Sequence, residues 1–457
     1  MKPRHIQHLY WRAGFGATPN TISVLSKKNK DQVVDALFLE SENVTDLMID
    51  TSEIDHLTTK SLLNDKLKQR DFRKISREKL KDLNAHWINR LVTSEETLRE
   101  KMALFWVNHF VCRDQNIFHV QQYNKTLRDY TLGNFGDFVK AISKETAMLK
   151  YLNNKQNRKE KPNENFAREL MELFTLGEGH YTEEDIKESA RAFTGYSHNF
   201  QGEFVLRKRE HDYGFKTFFD HTGRYDGDDI IDIILEQKQC ARFICRKIYG
   251  YFVNDVIDED KVEELASVFY KDYNIESLMR HLFMSDWFYT EAHIGSKIKS
   301  PIDLLVGMSR TVPIAFENKT DVIRIQKLLG QILLNPPNVA GWKGGKNWID
   351  SNTIMLRLKL PSILLANAKI SIKEKGEFED SFEKYYSKKR KNRFVSANID
   401  WENFEKQYRD SSFEDLKHQL IIPELSDGTE TYLKTLSQNS KRNFCVQLMS
   451  LPEYQMC

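Results

Sequence analysis

Pro162–Gly177 reads PNENFARELMELFTLG. At about 100° per residue its side chains separate into two arcs. Phe166, Leu170, Leu173 and Phe174 share one side, and Glu164, Asn165, Arg168, Glu169 and Glu172 share the other. Glu164, Arg168 and Glu172 stack at four-residue steps, with Asn165 and Glu169 in the next row. Pro162 and Asn163 suit a helix start and Gly177 suits its stop. The spacing predicts an amphipathic helix. A solvent-facing Glu164–Arg168–Glu172 ladder would give it about 0.2–0.5 kcal/mol per pair. The row has no lysine, however, and apolar segments flank it (AMLKYL before, ARAFTGY after). Those two features point instead to a polar face turned inward, toward a cleft where carboxylates perturb one another.

The same periodicity recurs outward from this segment. With only 10 prolines and 20 glycines in 457 residues, helices should dominate. Thr18–Pro19–Asn20 reads as a helix start. Thr93–Ser94–Glu95–Glu96 reads as a capping box opening ETLREKMALFWVNHF, and Thr182–Glu183–Glu184–Asp185 as a third start. Asp226, Asp228 and Asp229 read as an N-cap with an acidic first turn. Gly202–Asp220 alternates apolar and polar residues around HDYG, which predicts a small β-hairpin near 203–219. The expected fold is therefore mainly α, a multi-helix globule with one hairpin insertion. Residues 1–368 would form the main domain and 369–400 a charged connection or insertion, with 401–457 as C-terminal helices packing on the main domain.

Composition narrows the function classes. Basic and acidic residues nearly cancel, 68 against 66, so no global field draws the chain to nucleic acid or a membrane surface. The basic run Lys388–Arg393 (KKRKNR) reads as a solvated loop. No apolar run of about 18 residues is present, so no membrane span is expected. Five scattered cysteines without a CxxC pair, and an N-terminus without an apolar export core, lead to the expectation of a cytoplasmic location. The partner is left as an unidentified small molecule or protein, with no nucleic acid.

Several groups outside the opening stretch carry candidate chemistry. Asn108 and His109 lie in an aromatic helix. His211, Asp212 and Lys216 crowd EHDYGFK, either as ordinary turn residues or as an acid, base or anion clamp. Arg12 precedes a Gly-x-Gly turn without the lysine and hydroxyl of a phosphate loop, and is read as a structural anchor. HExxH, GxSxG and paired Glu-x-x-His motifs are absent.

Several segments together resemble a bacterial family, the domain of unknown function 1800. They include WRAGFGATP (11–19), LFWVNHF (104–110), PNENFARELMELFTLGEGHYTEEDI (162–186), HDYGFKTFFDHTG (211–223), KIKSPIDLLVG (297–307) and PPNVAGW (336–342). The resemblance implies a predominantly helical protein. Many members carry an export signal, which is not visible here, and Phe174 stands where the family commonly has histidine.

Two functions follow as expectations. In the first, an enzyme of hydrolase or transferase type uses Glu164, Glu169, Glu172, His109, His211 and Asp212 for acid–base or metal-ligand roles. Arg12, Arg168 or Lys216 would hold an anionic group. A hard divalent cation, Mg²⁺ or Ca²⁺, is the cofactor such carboxylates would suit, with Glu169, Glu172, His109 and His211 as candidate ligands. This requires the glutamates and histidines to converge within about 4–6 Å. In the second, a non-catalytic binding or assembly protein offers Trp342 or Trp348, in GWKGGKNW, as an exposed contact.

Overall fold

The computed structural model describes every residue except 56–64, 200, 367–394, 396 and 437–438. The chain is mainly helical, with three small two-stranded antiparallel sheets among the described residues. Its centre is the helix Thr97–His109, in which every residue except Asn108 is buried. Helices Lys66–Thr93, Lys30–Leu39 and Ile117–Tyr130 lie around it. Trp106 stacks on Phe110 and meets Phe138 edge to face, which gives the centre an aromatic core.

Local signals set most helix starts. The Thr18 hydroxyl accepts from the Thr21 amide, with Pro19 in the first turn. Thr182 and Asp185 cap each other reciprocally ahead of Glu183–Ala192, as do Asp226 and Asp229 ahead of Gly227–Glu236. The expected Thr93–Glu96 box does not form. Thr93 ends the preceding helix and bonds back to the Asn89 carbonyl, while Glu96 turns its carboxylate to Arg90 and Thr45. An arginine from a neighbouring turn outcompetes the local cap for that carboxylate.

The 203–219 region is divided between two hairpins. β1 (Tyr196–His198) pairs with β2 (Phe204–Leu206), and β3 (Lys216–Phe218) pairs forward with β4 (His221–Gly223). Phe219 and Asp220 both take positive φ, as a two-residue turn with the twist of its strands requires. The HDYG stretch links the two hairpins rather than forming the tip of one.

β5 (Ile314–Phe316) pairs with β6 (Ala397–Ile399), and Lys441–Met449 packs on Ser351–Leu365. A short antiparallel bridge joins Ile298 to Met456. The run Lys388–Arg393 and most of the expected charged connection lie outside the described residues.

Candidate functional site

The opening stretch forms two joined helical pieces. Asn165–Glu169 is α-helical, and Leu170–Thr175 widens into a π-helix, closed by the Leu176 amide on the Met171 carbonyl at 2.8 Å. Gly177 follows at φ +88°, a left-handed position that glycine takes freely. The widened turn leaves backbone carbonyls for side chains from other helices. The His109 imidazole donates to Phe174 O at 3.0 Å, Lys247 Nζ to Leu173 O at 2.7 Å, and Gln239 Nε2 to Leu176 O at 2.8 Å. A lysine at a helix C-terminus also opposes the local dipole. Burial, with Lys247 beside it, holds His109 neutral by lowering its pKa well below the usual range, and burial pulls Lys247 down to about 8. His109 is thus a buried cap on the π-turn.

The polar arc does not face an internal recess as a whole. Arg168 is partly exposed and is taken by Glu183 at 2.9 Å, with Glu164 at 3.3 Å. Asn165 is exposed. Glu169 and Glu172 are half-buried. Burial and then Glu172 raise the Glu169 pKa, and Tyr181 donates to Glu172 at 3.0 Å. Arg168 thus pairs with Glu164 and Glu183 at the surface, while Glu172 is held by Tyr181 with Glu169 beside it.

The HDYG turn is a structural staple. The His211 Nδ1–H donates to Thr194 O at 2.8 Å, and Asp212 pairs with Arg191 at 2.8 Å. The Lys216 ammonium is buried against the carbonyls of Asp212 and Gly214. Arg12 is a buried anchor donating to His293 O and the Ser296 hydroxyl. The expected convergence of Glu169, Glu172, His109 and His211 is therefore not present. Each histidine spends a ring nitrogen on a carbonyl of a different segment. Among the described residues no set of three or more His, Cys, Asp or Glu side chains is placed to hold a metal ion.

The expected tryptophan surface is also overturned. Trp342 and Trp348 are only 7% and 9% exposed. Asn108 clamps the Trp342 backbone from both sides, accepting from its amide at 2.7 Å and donating to its carbonyl at 3.1 Å. Gly341 lies so close that a Cβ there would meet the Asn108 side chain at 2.3 Å. Asn108→Ala is expected to cost about 1–3 kcal/mol, since two backbone groups lose their partners. It should also open 334–348 to limited proteolysis, and unchanged cleavage would disprove the clamp.

A further meeting of ionisable groups is assembled from segments far apart in sequence. Asp114 sits just ahead of Ile117–Tyr130 and accepts from the amides of Gln115 and Asn116. Its other partners are the His119 Nδ1–H at 2.8 Å and Lys150 Nζ at 2.5 and 2.7 Å. Burial pushes the Asp114 carboxyl up, but His119 and Lys150 overcome it and hold the pKa at about 2. The ionised carboxylate fixes the imidazole with Nδ1 protonated, so Nε2 carries the lone pair, which receives the Asn116 amide at 3.2 Å. The His198 ring stands edge-on to His119, centroids 5.6 Å apart, and Lys155 Nζ reaches His198 Nε2 at 3.2 Å. The residues come from the start of one helix, from Thr146–Tyr151, from the short turn Asn154–Gln156 and from β1. In sequence, the only local trace is the Asp114–Asn116–His119 spacing.

A family model described as "Protein of unknown function (DUF1800)" matches residues 8–456, nearly the whole chain. No curated protein and no solved structure matches it significantly.

Proposed function

The chain belongs to the DUF1800 family of proteins of unknown function, and we propose that it is an acid–base enzyme of the hydrolase or transferase class, with His119 as the proton-transferring group. The observation that carries this reading is the Asp114–His119 hydrogen bond of 2.8 Å, on a carboxylate that Lys150 also holds. A sheltered carboxylate on Nδ1 makes Nε2 the basic nitrogen and stabilises the imidazolium formed when it takes a proton, a step in which the substrate displaces the Asn116 amide from Nε2. Lys150 supports the Asp114 charge, and Asn116 aims the ring. Asp114 and Lys150 act as positioning residues, and His119 is the one that would touch a substrate proton. The reading keeps the chain in a reducing compartment, supported by five cysteines that are all buried free thiols.

Purified protein tested on chromogenic carboxylic esters, phosphate esters and glycosides should turn over one class. His119→Asn should reduce that turnover by about 10²–10⁴-fold, the usual contribution of a positioned acid–base group. Turnover that survives His119→Asn, or none on any class, overturns the reading.

One observation favours a second reading, a binding or assembly protein. Tyr213 and Phe215 are 57% and 63% exposed on the turn stapled by His211, Asp212 and Lys216. Rigid exposed aromatics are typical interface anchors. If His119→Asn changes nothing while Tyr213→Ser with Phe215→Ser abolishes an association, the second reading takes precedence.

A further inference from the structure

Lys155 differs from the lysines around it. Among the described residues, Lys150 is paired to Asp114, and Arg207 lies 3.5 Å from Glu210. Lys155 forms no ion pair among those residues, and its hydrogen-bond partner is the neutral His198 Nε2 at 3.2 Å. His198 is itself oriented, because its Nδ1–H donates to Asn199 O at 2.8 Å. A half-buried ammonium and an imidazole nitrogen therefore point at each other, with further positive charge around them. The charged and titratable groups facing this pair are Lys150, His119 and Arg207, with the carboxylates of Asp114 and Glu210 already engaged by other cations. Burial lowers the Lys155 pKa, and Arg207 and Lys150 lower it further. Burial likewise lowers His198, and Lys155, His119 and Lys150 add to that. Such a pair lacks a negative partner, and an oxyanion that displaced the Lys155–His198 hydrogen bond and accepted from both nitrogens would supply one. Nε2 would gain a proton and become a second donor, and the ammonium would be paired.

We propose that Lys155 and His198 form an oxyanion-recognition site, which takes a phosphate or carboxylate group of the substrate. This rests on the proposed acid–base reading, since the His198 ring contacts His119 and so sets the bound group beside the proton-transferring imidazole. The substrate class is then an anionic small molecule whose reacting bond lies near its charged group.

The test uses the full chain, with inorganic phosphate and acetate as separate probes in calorimetric titration, and proton NMR of the histidine ring resonances. At least one probe should bind and raise the pKa of the His198 imidazole. Lys155→Gln should weaken that binding by roughly tenfold to a hundredfold, as expected for loss of a charge-assisted hydrogen bond. Lys155→Arg should retain most of it, with unchanged melting curves showing the variants folded. Phosphate binding without acetate binding assigns a phosphate ester, and the reverse assigns a carboxylate. If neither probe binds, or Lys155→Gln binds as the wild type does, the site is disproved. His119→Asn separates the two proposals. Anion binding kept with turnover lost supports both. Turnover lost to His119→Asn with no anion binding removes this site alone. Anion binding without His119-dependent turnover removes the acid–base reading and leaves the oxyanion site.

Discussion

Glu100→Ala is expected to remove about 3–5 kcal/mol of stability, the cost of stranding a buried charge. That is a large share of the roughly 5–15 kcal/mol typical of native proteins. The Glu100 and Arg128 side chains are both fully buried, and they meet through two hydrogen bonds, one of them at 3.0 Å. Arg90 Nε reaches the same carboxylate at 2.5 Å and Trp87 Nε1 at 3.3 Å. Burial pushes the Glu100 carboxyl up, but Arg128 and Arg90 outweigh it and keep the pKa below the ordinary value. One carboxylate thus ties together Lys66–Thr93, Thr97–His109 and Ile117–Tyr130. Alanine leaves Arg128 with Asn124 as its remaining side-chain hydrogen bond, at 2.8 Å. Urea denaturation of the wild type and the variant measures the difference. A midpoint that does not move would show that Arg128 finds other compensation. Replacing Glu100 and Arg128 together by methionine or leucine should recover much of the loss, because no charge is then stranded.

That network was not foreseen. Arg90, Glu100 and Arg128 lie on three helices, and sequence spacing reports only neighbours on one helix. What was legible shares the opposite property. The helical class, the Thr18, Thr182 and Asp226 caps and the anchoring of Arg12 rest on a residue's local pattern or size. The Thr93–Glu96 box failed because Arg90, which no cap pattern includes, claimed Glu96. The inward row at Glu164 and Arg168 failed because Glu183, fifteen residues on, pairs with Arg168 at the surface. The π-turn was invisible because distant His109, Lys247 and Gln239 occupy its carbonyls. The candidate site was missed for the same reason, since Asp114, Lys150, Lys155 and His198 span more than eighty residues. GWKGGKNW misled in the other direction: both tryptophans are buried, and Asn108, far away in sequence, clamps the backbone of Trp342.

Acid should expose the candidate site through Asp114. Its pKa of about 2 in the folded chain lies below the ordinary 3.8, because the His119 hydrogen bond and Lys150 outweigh burial. A carboxyl whose folded pKa is depressed adds stability that is fully present above the unfolded pKa. That stability drains as pH falls through the folded one. The shift amounts to about 2 kcal/mol, present at pH 5 and lost progressively between about pH 4 and pH 2. Asp114→Asn is expected to be less stable than the wild type at neutral pH, because Lys150 and His119 lose their anion. Its stability should also fall less steeply in acid, by about 2 kcal/mol over the same interval. Parallel acid limbs for the two proteins would mean that the pairing contributes nothing to stability. The same titration bears on function. Asp114 stays ionised in the folded chain well below pH 4, so it continues to hold the His119 Nδ1–H across the range where enzymes are assayed. An acidic fall in turnover centred above pH 4 therefore reports protonation of another group, one whose loss of a lone pair stops the reaction. If Asp114→Asn moved that fall, Asp114 would be tuning the base as well as aiming it, and the carboxylate, histidine and lysine would act as one proton-transfer unit.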